Sequence, residues 1–269
     1  MDEKLKSAYF YTELMVTAGP RKNFNEDANE GDYDLGEDVA GCFVKKENAF
    51  FWLLDGTSDS PILKDSEGKE LFSSRLLAQE LGCHIQDSIW SHSLDSFDSR
   101  AILESAFTSI RENWEKRFKE LPQKEKELIS QKITEKTRII VSTTVILGRL
   151  TIDGTLDVSY IGDSVMVAHP DCTFPEEKGR FFMVVETGET EEVIFKHNPF
   201  EDTRCHTESH EAIENVIVAS DGINKNTIAW LKVRKPDFRN ADFRKTIAAI
   251  RQGTCDDKAI CVIQILTDD

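Results

Sequence analysis

Apolar positions along the chain switch between two periods. Residues 8 to 18 set Tyr9, Tyr11, Glu13 and Met15 against Phe10, Thr12, Leu14 and Val16, which predicts a strand ended by Gly19-Pro20. Val39 to Lys45 and Ala49 to Leu54 predict a hairpin turning through Lys46-Glu47-Asn48. Residues 69 to 92 place Leu71, Leu76, Leu77, Leu81, Ile85 and Ile89 at helical spacing. Residues 99 to 136 do the same with Ile102, Phe107, Ile110, Trp114 and Phe118, interrupted at Pro122. From Ile139 the strand period returns. Ile139 to Leu150 and Leu156 to Ile161 form a hairpin across Thr151 to Thr155, Val165 to Ala168 follows, and Phe181 to Val185 pairs with Glu192 to Phe195. His197 to His210 reads as a polar loop. Val216 to Ser220 is a strand, Ile223 to Val233 and Phe238 to Arg251 read as helices split at Pro236, and Lys258 to Leu266 closes the chain as a strand. This order predicts an α+β fold with mostly antiparallel pairs.

The strand ends carry an unusual load. Ala49 to Leu54 is a buried run that stops at Asp55-Gly56, and Val216 to Ser220 stops the same way at Asp221-Gly222. Asp-Gly is a common turn pair, so either end alone is compatible with an ordinary turn. The pattern nevertheless recurs. Asn25-Glu26-Asp27 follows the first strand, Asp256-Asp257 precedes the last, and Gly162-Asp163-Ser164 sits between two more. Carboxylates converging from separate strands repel one another unless a hard divalent cation lies between them, and oxygen-only ligation suits magnesium or manganese.

Composition narrows the partners. A formal charge of −16, from 49 acidic against 33 basic residues, argues against a nucleic-acid surface. No apolar run approaches bilayer length, and the start MDEKLKSAYF lacks the basic-then-apolar order of a signal peptide, so a cytoplasmic protein with no membrane partner is expected. The six cysteines form no CxxC pair, which predicts free thiols. Cys205-His206 with His210 lacks the second ligand pair of a zinc site. The 269 residues show no linker or repeat and read as one domain spanning 1–269. The segment Ala28 to Asp38 (ANEGDYDLGED) reads as an acidic connection or a low-affinity cation surface.

Taken in order, NEDA (Asn25 to Ala28), Asp55-Gly56, STT (Ser142 to Thr144) with YIGDS (Tyr160 to Ser164), VASDGI (Val218 to Ile223) and DDKAICVI (Asp256 to Ile263) span nearly the whole chain. The set resembles the motifs of the type 2C metal-dependent protein phosphatases. The resemblance implies a four-layer αββα sandwich, two antiparallel sheets flanked by helices, with two Mn²⁺ or Mg²⁺ ions at one end. Asp55 would bridge the ions and Gly56 would offer its carbonyl. Asp221 and Asp256 would hold one ion, and Glu26 and Asp27 the other, directly or through water. Asp257 stands beside a ligand. Asp163 matches a motif that in relatives contributes to a third, weaker ion.

The activity so implied is hydrolysis of phosphoserine and phosphothreonine in proteins by a metal-activated water, with a phosphoprotein as partner and the chain acting as a monomer. No protein nucleophile is needed, in keeping with the absence of a readable Cys or Ser nucleophile motif. The chain departs from the family at four points. Lys22 occupies the place of a phosphate-binding arginine, with Arg21 one residue further back, and lysine cannot clamp phosphate bidentately. Thr57 replaces a histidine credited as general acid. Lys225 stands where an acidic residue is common, and Val165 replaces the arginine of GDSR. These departures keep a second reading open, a phosphatase-like regulatory or binding module with little turnover. A small-phosphoester hydrolase is a third.

Overall fold

The computed structural model describes residues 8–17, 36–57, 63–91, 97–136, 138–170, 172–174, 179–187, 193–197, 205–223, 227 and 257–267. In chain order the strands before the helices are β1 (Ala8–Thr17), β2 (Asp38–Lys45), β3 (Asn48–Gly56), β4 (Leu63–Lys64) and β5 (Glu70–Phe72). The helices are α1 (Ser74–Ser91), α2 (Ser99–Glu120) and α3 (Gln123–Lys136). Then come β6 (Arg138–Thr151), β7 (Leu156–Ile161), β8 (Val165–His169), β9 (Cys172–Thr173), β10 (Phe181–Thr187), β11 (Val193–His197), β12 (His206–His210), β13 (Asn215–Ala219) and β14 (Lys258–Thr267).

One sheet runs β1-β14-β13-β8-β9 and a second runs β11-β10-β6-β3-β2; β4 and β5 form a separate small pair. Every strand pairing among the described residues is antiparallel. The long β6 serves two partners on one edge, β10 along Arg138 to Thr143 and β7 along Val145 to Leu150, while β3 covers the other edge.

Burial separates three apolar layers. Leu77, Leu81 and Ile85 of α1 and Leu103, Phe107, Ile110 and Trp114 of α2 pack on Phe50, Trp52 and Leu54 of β3 and on Val145 and Leu147 of β6. Alternate residues of the same strands, Phe51, Leu53 and Ile146, face Val216, Val218, Ala259 and Ile263 across the inter-sheet layer. This is the period-two division that lets one strand serve two cores. A third cluster, Val165, Val167, Ile217, Ile260 and Val262, lies buried on the outer face of the first sheet. The helices expected from Ile223 to Val233 and from Phe238 to Arg251 fall almost wholly outside the described residues. The α+β class and the pair of antiparallel sheets are as the sequence predicts. No helix among the described residues is long and apolar enough to cross a membrane.

Three local expectations need correction. The first helix starts at Ser74 rather than near residue 69, because Glu70–Phe72 pairs as β5 and the Ser73 hydroxyl accepts the Leu76 N–H at 3.0 Å as the helix cap. His206–His210 is a strand paired with β7 rather than loop. Its polar side chains are satisfied there, since Tyr160 donates to Glu208 at 2.7 Å and stacks on His206. The β2–β3 turn takes two residues, not three: Lys45 pairs with Asn48, and Lys46 adopts φ 54°. That one-residue difference sets what stands opposite Asp55.

Candidate metal centre

Five strand ends meet at one edge of the sandwich. β3 ends at Asp55-Gly56, opposite Thr144 and Thr143 of β6, and β2 begins with Asp38 directly opposite Asp55. β7 runs out into Gly162-Asp163-Ser164, β13 into Ser220-Asp221, and β14 begins at Lys258 just after Asp257. Carboxylate oxygens of Asp55, Asp163 and Asp221 lie within 4.8 Å of one another. Sequence reasoning placed all three here from separate strands.

Beneath the carboxylates lies a floor of buried hydroxyls, which accounts for the STT run. Thr57 Oγ1 hydrogen-bonds Ser142 Oγ at 2.9 Å and Ser74 Oγ at 3.2 Å, and Thr144 Oγ1 hydrogen-bonds Ser164 Oγ at 2.9 Å. Ser220 Oγ accepts the Ala259 N–H at 2.9 Å, tying the end of β13 to β14. Gly162 holds φ at +115°, and a Cβ there would lie 2.5 Å from Thr144 Cβ, so only glycine lets the Asp163 turn close over β6.

Asp38 is the residue that sequence reasoning missed. It is 6 % exposed, and its Oδ2 is buried with no hydrogen-bond partner. The signal was in the turn: a two-residue β2–β3 loop forces Asp38 opposite Asp55, whereas the three-residue loop read from sequence shifts the register by one and leaves Asp38 in the acidic connection. Asp257 has a different task here. Its carboxylate accepts the Glu37 N–H at 2.6 Å and sits where a Gly36 Cβ would be, 2.7 Å from its Cγ, with Gly36 at φ +81°. It thereby fixes the entry into β2.

The electrostatics of the cluster ask for positive charge. Burial, then repulsion from Asp38 and Asp221, pushes the Asp55 carboxyl up to about 10. Burial pushes Asp38 up to about 7, against a hydrogen bond from Ser220 and with repulsion from Asp257. The two acids stand directly opposite each other, the arrangement in which facing carboxylates share a proton because both cannot ionise. A hard divalent cation relieves the same repulsion in place of the proton. The donor set fits one: it is all oxygen, comes from rigid strand ends and includes the orphaned Asp38 Oδ2. Arg180, just before β10, brings a guanidinium to 4.0 Å from Asp163 Oδ2 at the rim.

Arg21, Lys22, Glu26, Asp27, Lys225 and Asp256 lie outside the described residues. Thr57 is buried in the hydroxyl floor.

No family model and no curated protein sequence matches the chain. Among solved structures, a photosystem II phosphatase, PBCP, superposes with a TM-score of 0.56 at 13 % identity, covering 95 % of this chain and 98 % of its own. An arginine-to-alanine variant of a bacterial serine phosphatase gives 0.55 at 11 % identity over 96 % and 99 %. RsbX in complex with magnesium gives 0.52 at 9 % identity over 97 % and 100 %. The chain has the fold of these phosphatases. The superpositions cover nearly all of this chain and of theirs, and what they share with it is the architecture.

Proposed function

We propose that the chain is a metal-dependent protein serine/threonine phosphatase. The observation that carries this reading is the convergence of Asp38, Asp55, Asp163 and Asp221 on one edge of a phosphatase fold, with an orphaned buried carboxylate oxygen among them. Asp55, flanked by Asp38 and Asp221, is the natural bridging carboxylate, and Gly56 follows it with a carbonyl free of side-chain bulk. Asp256 and the pair Glu26 and Asp27 complete the ligand set that the motif resemblance implies, and Asp163 extends it towards a third ion. Mn²⁺ or Mg²⁺ bound there would neutralise the phosphoryl oxygens and lower the pKa of a water nucleophile.

The chain's own residues have three tasks. The carboxylates hold charge in place on strand ends, so little reorganisation accompanies reaction. Arg180 beside Asp163, together with Arg21 or Lys22 as the motif resemblance implies, supplies cations for the phosphate of a phosphoprotein substrate. The net charge of −16 favours substrates whose flanking residues are basic.

One observation favours a second reading, a phosphatase-like regulatory or binding module. The Thr57 hydroxyl, in the place of the expected acid, is engaged by Ser142 and Ser74 in the buried floor. Protonation of the leaving group then falls to water, and loss of a general acid costs on the order of a hundredfold in rate.

The deciding experiment measures hydrolysis of a phosphothreonine peptide with Mn²⁺, with chelator, and with Asp55→Ala or Asp221→Ala, alongside metal-binding calorimetry. Mn²⁺-dependent turnover lost in both variants supports the phosphatase. Metal binding without turnover supports the module, and absence of metal binding overturns the site.

A further inference from the structure

β2 and β14 leave the acidic edge together and pack against each other across the sandwich. Asp38 opens β2, and four residues on comes Cys42. Asp257 precedes β14, and four residues on comes Cys261. Four residues keep a strand residue on its original face, so both thiols point into the inter-sheet layer from opposite sheets. Cys261 is 1 % exposed and belongs to the inter-sheet core, and Cys42 packs against that core while partly open to solvent. The two side chains lie in the same inter-sheet cluster on strands that pack together, near enough for each to perturb the other's thiol, and Cys42 also interacts with Thr12 of β1.

The pair is chemically asymmetric. The hydrogen bond from Cys261, together with one from Thr12, outweighs burial and brings the Cys42 thiol down to about 7. The same contact, followed by burial, holds Cys261 well above its ordinary range. Cys42 is thus the partly accessible, thiolate-forming member and Cys261 the sheltered neighbour. Reactive and resolving cysteines divide in this way. The other described thiols lack the arrangement: burial pushes Cys205 up to about 11, and Cys83 is exposed on α1.

We propose that Cys42 and Cys261 form a redox switch, a reversible disulfide between the two sheets, made by a peroxide, that weakens divalent-cation binding at the acidic edge. The Cys42 thiolate attacks a peroxide oxygen, the O–O bond breaks, and hydroxide leaves, giving the sulfenic acid. The Cys261 sulfur then displaces the sulfenic oxygen, which departs as water with the Cys261 proton. Two thiols lose two electrons in all, and hydrogen peroxide becomes two waters. A bonded pair of sulfurs sits at about 2.05 Å, well inside the separation of a thiol–thiol contact, so closing the bond draws β2 and β14 together. Asp38 and Asp257 sit at the shared end of those strands, where metal ligands tolerate displacements of only about 0.5 Å. The consequence for the cation, though not the formation of the disulfide, rests on the metal-centre reading above.

The test oxidises the metal-free full chain with hydrogen peroxide, removes the oxidant, and maps peptides by mass before and after dithiothreitol. Calorimetry with Mg²⁺ is then run on the reduced and linked forms. The expected result is a Cys42–Cys261 peptide pair lighter by two hydrogens, released by dithiothreitol, absent in Cys42→Ala and in Cys261→Ala, with Mg²⁺ affinity of the linked form lower by roughly tenfold. Circular dichroism on both variants separates loss of the link from loss of the fold, and where one variant fails to fold the other with the wild-type map decides. Sulfinic acid at Cys42 without a link, an intermolecular link, or a linked form with unchanged Mg²⁺ affinity overturns the proposal. A reduced protein that binds no Mg²⁺ overturns the metal centre and with it the switch, while the peptide map still records whether the thiols join.

Discussion

Asp38 and Asp55 face each other across the β2–β3 ladder at the edge where five strand ends meet, and repulsion from Asp38 helps to push the Asp55 carboxyl up. Like charges directly opposite on neighbouring strands destabilise a sheet. A cation bound between them, as proposed above, would remove that cost.

Asp38→Asn is therefore expected to weaken Mn²⁺ binding by on the order of 10- to 100-fold, the range seen when groups supporting a metal ligand are removed. Calorimetry reads this directly. Unchanged affinity would return Asp38 to a purely structural place.

The metal-free protein should lose stability with rising pH in a window set by these acids. Both folded-state pKa values are raised, Asp38 to about 7 and Asp55 to about 10, from an ordinary 3.8. The folded state thus binds protons more tightly than the unfolded chain. Their contribution is full below about pH 4 and is lost as pH rises, through about 7 for Asp38 and on towards 10 for Asp55. Denaturation midpoints of chelated protein should fall across that range, and Asp55→Asn should flatten the fall while abolishing metal binding. A wild-type profile parallel to that of Asp55→Asn would refute the raised values.

Arg180→Ala should raise KM for a phosphopeptide by roughly tenfold, the size of one charge-assisted hydrogen bond, with a smaller change in kcat. Arg180→Lys should restore only part of it, because lysine lacks the planar fork. Steady-state kinetics on both variants decide; a KM indifferent to either leaves Arg180 as a partner of Asp163 alone.

Gly162→Ala should cost about 1–3 kcal/mol of stability, since alanine resists φ +115° and its Cβ would press on Thr144. Chemical denaturation measures the loss. Metal affinity should fall with it as Asp163 is displaced.

The apolar periods and the acidic strand ends determined much by themselves. They marked β1, β3, β6, β13, β14 and the helices α1 to α3, and they put Asp55, Asp163 and Asp221 at strand ends, because local patterns of period and interruption are written in neighbouring residues. Only the tertiary structure decided what meets what. The partner of Asp55 depended on a single residue of turn length, and period-two pairing turns such a slip into a change of neighbour along the whole hairpin. β12 was invisible because its residues are polar and find partners in Tyr160, Ser159 and Asp157 of β7, which only the strand pairing brings beside them. Asp257 reads as a ligand's neighbour until the fold brings Glu37, 220 positions away, onto its carboxylate. The Cys42–Cys261 contact is of the same kind. Residues far apart in sequence acquire a chemistry only when two sheets close on each other, and that closure is a property of the packed core.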